Sequence, residues 1–207
     1  MYYPAAARRL RELAPATKLI LTLRCPADRA YSNFLNALLL GREPIRNFEE
    51  ALRAEPMRIA AGWSHLFHYR AKGWYYRQLS NWLELFPRQQ MMINLYEDLR
   101  SDPEELMRRI FRFIGVEPDY PIDCETRYNV SGPPWGIQLR VMLQRGSPVA
   151  RRFLPNPVRN SMKATIRRYT TGPSVTPKAI RREMMNDYES DVSQLAGLLG
   201  LDLSRWF

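Results

Sequence analysis

The feature that most restricts the fold is the run Lys18-Leu19-Ile20-Leu21-Thr22-Leu23, followed at once by Arg24-Cys25-Pro26. The run is apolar, partly β-branched and of strand length, which predicts a buried strand. Pro26 has the fixed φ that suits an entry turn or a first helical turn, and apolar residues continue from there to Leu40. Strand, tight turn and helix therefore follow in that order. In open α/β sheets this is where ligands bind, because strand ends and helix N-termini converge and backbone N–H groups point at anions.

The rest of the chain extends the same pattern. Residues 5–13 read as a short helix ended by Pro15, and residues 48–54 as another. Residues 73–85 carry Trp74, Tyr75, Leu79, Trp82 and Leu83 at helical spacing before Pro87. Met91-Met92-Ile93-Asn94-Leu95 is the second strand. Asp102 and Pro103 then open a helix whose expected buried stripe is Leu106, Ile110, Phe113 and Ile114. Past Pro134 the pattern is helical, with Thr176-Pro177 capping a long helix striped by Ile180, Met184, Tyr188, Val192 and Leu195. Two strands separated by a long helical stretch indicate an α/β fold with parallel strands joined by crossover helices. Two strands make a poor sheet, so the sheet is expected to be incomplete.

Composition bounds the function classes. At 207 residues, 45% hydrophobic and 25% charged, the chain fits one globular domain with an appended subdomain. No stretch approaches the roughly 20 apolar residues of a transmembrane helix, and the N-terminus lacks a signal-peptide core, so a cytoplasmic protein is expected. Cys25 and Cys124 are too few for a disulfide framework and lack metal-ligand spacing, so no metal is expected. The sequon at Asn129 carries little weight without a secretory route.

Net charge is +10, and residues 135–182 hold eleven Lys or Arg and no Asp or Glu. That stretch is either a surface for an anionic substrate or acidic membrane, or a solvated helical face.

Arg24 leaves the first strand, and Ser32 follows near the start of the next helix. An arginine offers a charged fork to two oxygens and a serine a short neutral bond, a pairing suited to a terminal phosphate. Alone, the pair is a weak signal and reads more readily as a helix-surface arginine and a capping serine.

The element Leu23-Arg24-x-Pro26-x-x-Arg29-Ala30-Tyr31-Ser32 resembles the one with which sulfotransferases dependent on PAPS (3′-phosphoadenosine 5′-phosphosulfate) grip the donor's 3′-phosphate. Further landmarks similar to that family follow in order. They are Phe48-Glu49-Glu50-Ala51-Leu52, Gly73-x-Tyr75-Tyr76-x-Gln78-Leu79, Phe86-Pro87, Tyr96-Glu97-Asp98-Leu99 and Asp102-Pro103. Phe113-Ile114-Gly115, Asn129-Val130-Ser131-Gly132 and Leu201-Asp202-Leu203-Ser204-x-Trp206 complete the series.

The resemblance implies a P-loop-like parallel sheet flanked by helices, with a mainly helical C-terminal part. It implies PAPS as co-substrate, PAP as product, and Arg24 and Ser32 as cofactor-binding residues. Arg29 either helps the phosphate or pairs with Asp28 or Glu12. The Tyr96 motif reads as a strand end and turn, the Trp74 and Trp82 stripe as core, and Trp206 as an anchor for the last helix.

The family also carries a glycine- and lysine-containing loop that wraps the 5′-phosphosulfate with backbone amides. No glycine here opens such a loop, and Met1-Tyr2-Tyr3-Pro4 looks like a family position well past it. The family's general base normally lies in the same portion. A base role for His65 or His68 stands against a structural one, and the catalytic residues stay unassigned.

The expected layout is a partial sulfotransferase core over residues 1–134 and a basic helical subdomain over 135–207. The expected function is sulfuryl transfer from PAPS to a hydroxyl or amine by a truncated chain. The acceptor is of open class, anionic and carbohydrate acceptors included, and a homo-oligomer is compatible. The alternative is an inactive relative that binds a 3′-phosphonucleotide or polyanion. A basic nucleic-acid or lipid module is a third reading, without a nucleic-acid motif to support it.

Overall fold

The computed structural model describes residues 1–124, 136 and 175–207. They form an α/β fold in which a small parallel sheet is flanked by helices. Helix α1 (Pro4–Leu13) opens with a proline at its first position, where the missing N–H costs no bond. Strand β1 (Leu19–Leu23) leads into α2 (Pro26–Leu39). Next come α3 (Phe48–Ala60), 3-10 turns at His65–Phe67 and Ala71–Gly73, and α4 (Tyr75–Leu83). Strand β2 (Met91–Leu95) runs parallel to β1, with Leu19 opposite Met91 and Leu23 opposite Leu95. Helices α5 (Tyr96–Ser101), α6 (Pro103–Ile114) and α7 (Lys178–Leu199) follow, and a 3-10 turn at Ser204–Trp206 ends the chain.

The described residues divide into two compact units. The first holds 1–26, 74–124 and 185–207, and the second 27–73, 136 and 175–184. In the first unit, Leu23, Leu79, Phe86, Met91, Leu95, Leu106, Tyr188, Val192, Leu195 and Trp206 are buried. In the second, Tyr31, Phe34, Phe48 and Tyr69 form a buried aromatic cluster with ring centroids 5.1–6.3 Å apart. The expected boundary at 134/135 and the Asn129 motif lie outside the described residues.

Several local expectations need correction. β1 is covered on one side only: Leu23 is buried, whereas Ile20 is 42% exposed and Thr22 is exposed as well. Its alternation is that of a strand packed on one face. Helix α3 does not stop at Ala54 but passes through Pro56 to Ala60. The backbone bond lost at Pro56 is offset because Glu55 and Arg58, on either side, are buried in polar networks.

Helix α4 begins at Tyr75, not Gly73, because the Asp191 carboxylate accepts the backbone N–H groups of Tyr76 and Arg77 at 3.0 and 3.4 Å. A side chain distant in sequence thus caps the helix start. The α6 stripe is thinner than expected, since Leu106 is buried but Ile114 is 40% exposed. Thr176 is buried, yet its hydroxyl donates to Asp28 at 2.6 Å instead of capping α7.

The α6 start matches its sequence signal. Asp102 Oδ1 accepts from the Glu105 backbone N–H at 2.9 Å, and Gly115, at φ 88°, terminates the helix in the left-handed region. Replacing Asp102 with Ala is expected to lower unfolding free energy by about 1 kcal/mol. A urea denaturation midpoint that does not move would contradict the cap's contribution.

Candidate functional site

Arg24 follows β1 directly, and its position is set by the sheet. The parallel register puts Leu23 opposite Leu95, so the residues leaving the two strands, Arg24 and Tyr96, emerge side by side. The Arg24 guanidinium lies over the Tyr96 ring, 4.7 Å from its centroid. The Tyr75 hydroxyl donates to the Arg24 carbonyl at 3.0 Å. Backbone and side chain are therefore both held, the charge rests on an aromatic face, and among the described residues no carboxylate neutralises it. A half-buried guanidinium fixed in this way keeps its donors available to an oxyanion.

Beneath it the same unit is tightly tied. Cys25 is buried, with Sγ 3.5 Å from Met185 Sδ and 3.7 Å from the Trp206 carbonyl. Trp206 is 1% exposed and donates Nε1–H to Glu97 at 3.2 Å. Asp98 accepts from the Leu95 N–H and pairs with Arg109, both at 3.4 Å. The Tyr96-Glu97-Asp98-Leu99 segment thus ends a strand and fastens the C-terminal turn, as its structural reading expects. Trp82 is buried, and Trp74 packs edge-on against Tyr188 at 5.0 Å, so the tryptophan stripe is core.

Ser32 lies in the second turn of α2, half-buried, in the second unit. Arg24 belongs to the first unit, and the surroundings of each are described within its own unit. One turn before Ser32, Arg29 does not pair with Asp28. Its Nη2 donates to the Tyr69 carbonyl, while Asp28 receives Thr176 at 2.6 Å and Arg181 at 3.6 Å. Asp28 is engaged by α7 and its approach, which leaves Arg29 to the Tyr69 loop.

Sequence reasoning missed a buried network in the second unit. Arg58 donates to both Glu43 oxygens at 2.7 and 2.9 Å, and the Tyr69 hydroxyl donates to the same carboxylate. The Arg58 and Glu43 side chains are 5% and 0% exposed. Trp63 and Phe67 take the Arg58 guanidinium on their ring faces at 5.1 and 5.2 Å. Burial, and next the Glu43 carboxylate, push the Tyr69 hydroxyl well above the ordinary phenol range.

His68 is buried with Nε2 at 3.2 Å from the Trp63 carbonyl, and burial lowers its pKa. That environment favours the neutral ring, held beside the Trp63 carbonyl. His65 sits in a 3-10 turn. Neither the tyrosine partners of Arg24 nor this network has a local signature. Aligning the two apolar runs in parallel, Leu23 against Leu95, would have brought Tyr96 to Arg24.

Comparison with known proteins follows the same elements. The family model for the sulfotransferase domain matches residues 8–127. The bifunctional heparan sulfate N-deacetylase/N-sulfotransferase 1 of Caenorhabditis briggsae is 28% identical over 135 residues, 62% of this chain and 16% of that protein. The bifunctional heparan sulfate N-deacetylase/N-sulfotransferase 3 of Homo sapiens is 31% identical over 118 residues, 56% of this chain and 13% of that protein.

Among solved structures, a sulfotransferase from Alicyclobacillus acidocaldarius matches with a TM-score of 0.71 at 25% identity, covering 99% of this chain and 63% of that one. This chain spans only a small part of the two curated relatives and under two-thirds of the solved structure. The family match runs through β1, Arg24, Ser32 and β2 to beyond the end of α6, and the chain belongs to the sulfotransferase domain family.

Proposed function

We propose that this chain forms the part of a PAPS-dependent sulfotransferase that holds the donor's 3′-phosphate, with Arg24 and Ser32 as the contacts. The observation that carries the reading is Arg24 itself: a half-buried guanidinium at the carboxyl end of a parallel strand, braced by Tyr96 and Tyr75 and not neutralised by a carboxylate among the described residues. An arginine held there on an aromatic face, with no carboxylate paired to it among the described residues, suits a dianion. Ser32 adds a neutral donor from α2.

The reaction is transfer of a sulfuryl group to a hydroxyl or amine. The acceptor heteroatom attacks sulfur, the bond from sulfur to the bridging oxygen breaks, and PAP leaves with that oxygen's electrons. The acceptor proton goes to a base, which the described residues do not supply in an evident position. Gripping the 3′-phosphate fixes the nucleotide, so its binding energy goes into orienting the remote sulfur. The names of the relatives point to a heparan-type saccharide, and the basic character of this chain agrees with an anionic acceptor of that class.

The test has two parts, nucleotide binding by calorimetry and transfer of labelled sulfate from PAPS to a panel of amino and hydroxyl saccharides. Binding with turnover supports the enzyme. Binding of PAP without turnover supports an inactive 3′-phosphonucleotide-binding relative. No binding of PAP contradicts both.

A further inference from the structure

A second group of cations lies in the second unit and is not used by the reading above. Arg29 and Asn33 stand four residues apart on α2, on one helix face. Asn33 donates Nδ2–H to the Leu66 carbonyl at 2.6 Å, which turns its Oδ1 toward Lys72 Nζ at 3.4 Å. Arg29 is anchored through Nη2 on the Tyr69 carbonyl, yet its Nε is buried without a partner among the described residues. Burial, and then the charge of Arg29, lower the Lys72 pKa to about 8.

The acid facing Lys72 is Glu55 of α3, but its two oxygens already accept the Arg70 and Ala71 backbone N–H groups at 2.7 and 2.8 Å. His68, which also senses Lys72, is held toward its neutral form by burial. Two cations are thus kept together, partly desolvated, while the Glu55 oxygens are engaged by backbone N–H groups and act on Lys72 only through their charge.

A purely structural role accounts for Nη2 of Arg29 on Tyr69. It leaves the Arg29 Nε orphaned, and among the described residues it meets the desolvated Lys72 charge with only a 3.4 Å contact to Asn33 and the field of Glu55. An anion seated between the two heads would account for both. We infer that Arg29, Lys72 and Asn33 form a subsite for a tetrahedral oxyanion, a sulfate or phosphate group. The group belongs either to a saccharide acceptor or to a nucleotide. The inference rests on side chains of the second unit other than Ser32, so it goes beyond the Arg24 reading.

The experiment titrates inorganic sulfate, adenosine 3′,5′-bisphosphate and a sulfated glucosamine oligosaccharide into the wild-type chain and Lys72→Met, with thermal midpoints recorded alongside. Lys72→Met is expected to weaken at least one probe by about tenfold or more, the loss of one charge-assisted contact. Its midpoint is expected to hold or rise, because a desolvated charge has been removed. Loss confined to the saccharide assigns the group to the acceptor, and loss confined to the bisphosphate assigns it to the nucleotide.

The pH profile gives a second readout. The bound form keeps Lys72 protonated, so affinity should be full below about 8 and fall as pH rises through that value. Arg29→Gln, which keeps a donor for the Tyr69 carbonyl, should weaken the same probe.

Unchanged affinity for every probe in Lys72→Met, or wild-type protein that binds none of them, overturns the subsite. Wild-type binding of the bisphosphate that depends on Arg24, with no probe depending on Lys72, removes the subsite and leaves the donor reading intact. Saccharide binding that depends on Lys72, without nucleotide binding, does the reverse.

Discussion

Arg58→Met is expected to lower the unfolding free energy by about 3–5 kcal/mol, the largest single-residue effect anticipated in this chain. The arginine is not valuable because a buried ion pair is strongly stabilising in itself. Removing it leaves Glu43, whose side chain is 0% exposed, as an uncompensated buried carboxylate to which, among the described residues, the Tyr69 hydroxyl and the Ile45 N–H donate. The variant also loses two cation–ring contacts, to Trp63 and Phe67.

The double variant Glu43→Gln/Arg58→Met should recover a large part of the loss, because the stranded charge is gone. Urea denaturation of the wild type and the variants checks this. An Arg58→Met loss below about 1 kcal/mol would mean that the carboxylate is relieved by another route.

Arg24→Ala is expected to weaken binding of adenosine 3′,5′-bisphosphate by about 1.5–3 kcal/mol, or roughly 10- to 150-fold, as one charge-assisted contact disappears. The substitution leaves the backbone bond from Tyr75 in place and removes only the ring contact with Tyr96, so the thermal midpoint should move little. Arg24→Lys keeps the charge but not the planar fork that stacks on the ring, and should recover only part of the affinity. Ser32→Ala removes a neutral donor and should cost less, about 0.5–1.5 kcal/mol. Calorimetric titration of the three variants gives the ordering, and equal affinities throughout would remove both residues from the site.

How far the sequence foretold this structure depended on whether the signal was local. The strand ending at Leu23, the helix from Pro26, the strand Met91–Leu95 and the Asp102 cap each carry their cause within a few residues, and each is found. Where the sequence misled, a distant side chain decided the outcome. Asp191 sets the start of α4, and Asp28 takes the Thr176 hydroxyl that a local reading assigns to a helix cap. The continuation of α3 past Pro56 depends on Glu55 and Arg58 finding partners elsewhere.

The candidate site divides the same way. The place of Arg24 at the end of a strand was legible locally, whereas its proposed role came from the resemblance of the surrounding element. Its brace, Tyr96, becomes visible only once β1 and β2 are paired in register. Glu43, Arg58 and Lys72 are ordinary charged residues in sequence, and burial alone makes them unusual.

The most direct test of the account compares adenosine 3′,5′-bisphosphate with adenosine 5′-monophosphate on the wild-type chain, by calorimetry at fixed salt. The bisphosphate should bind about tenfold or more tightly, and Arg24→Ala should abolish most of that preference. Equal affinity for the two nucleotides, or a preference that survives Arg24→Ala, would contradict a 3′-phosphate site at the end of β1.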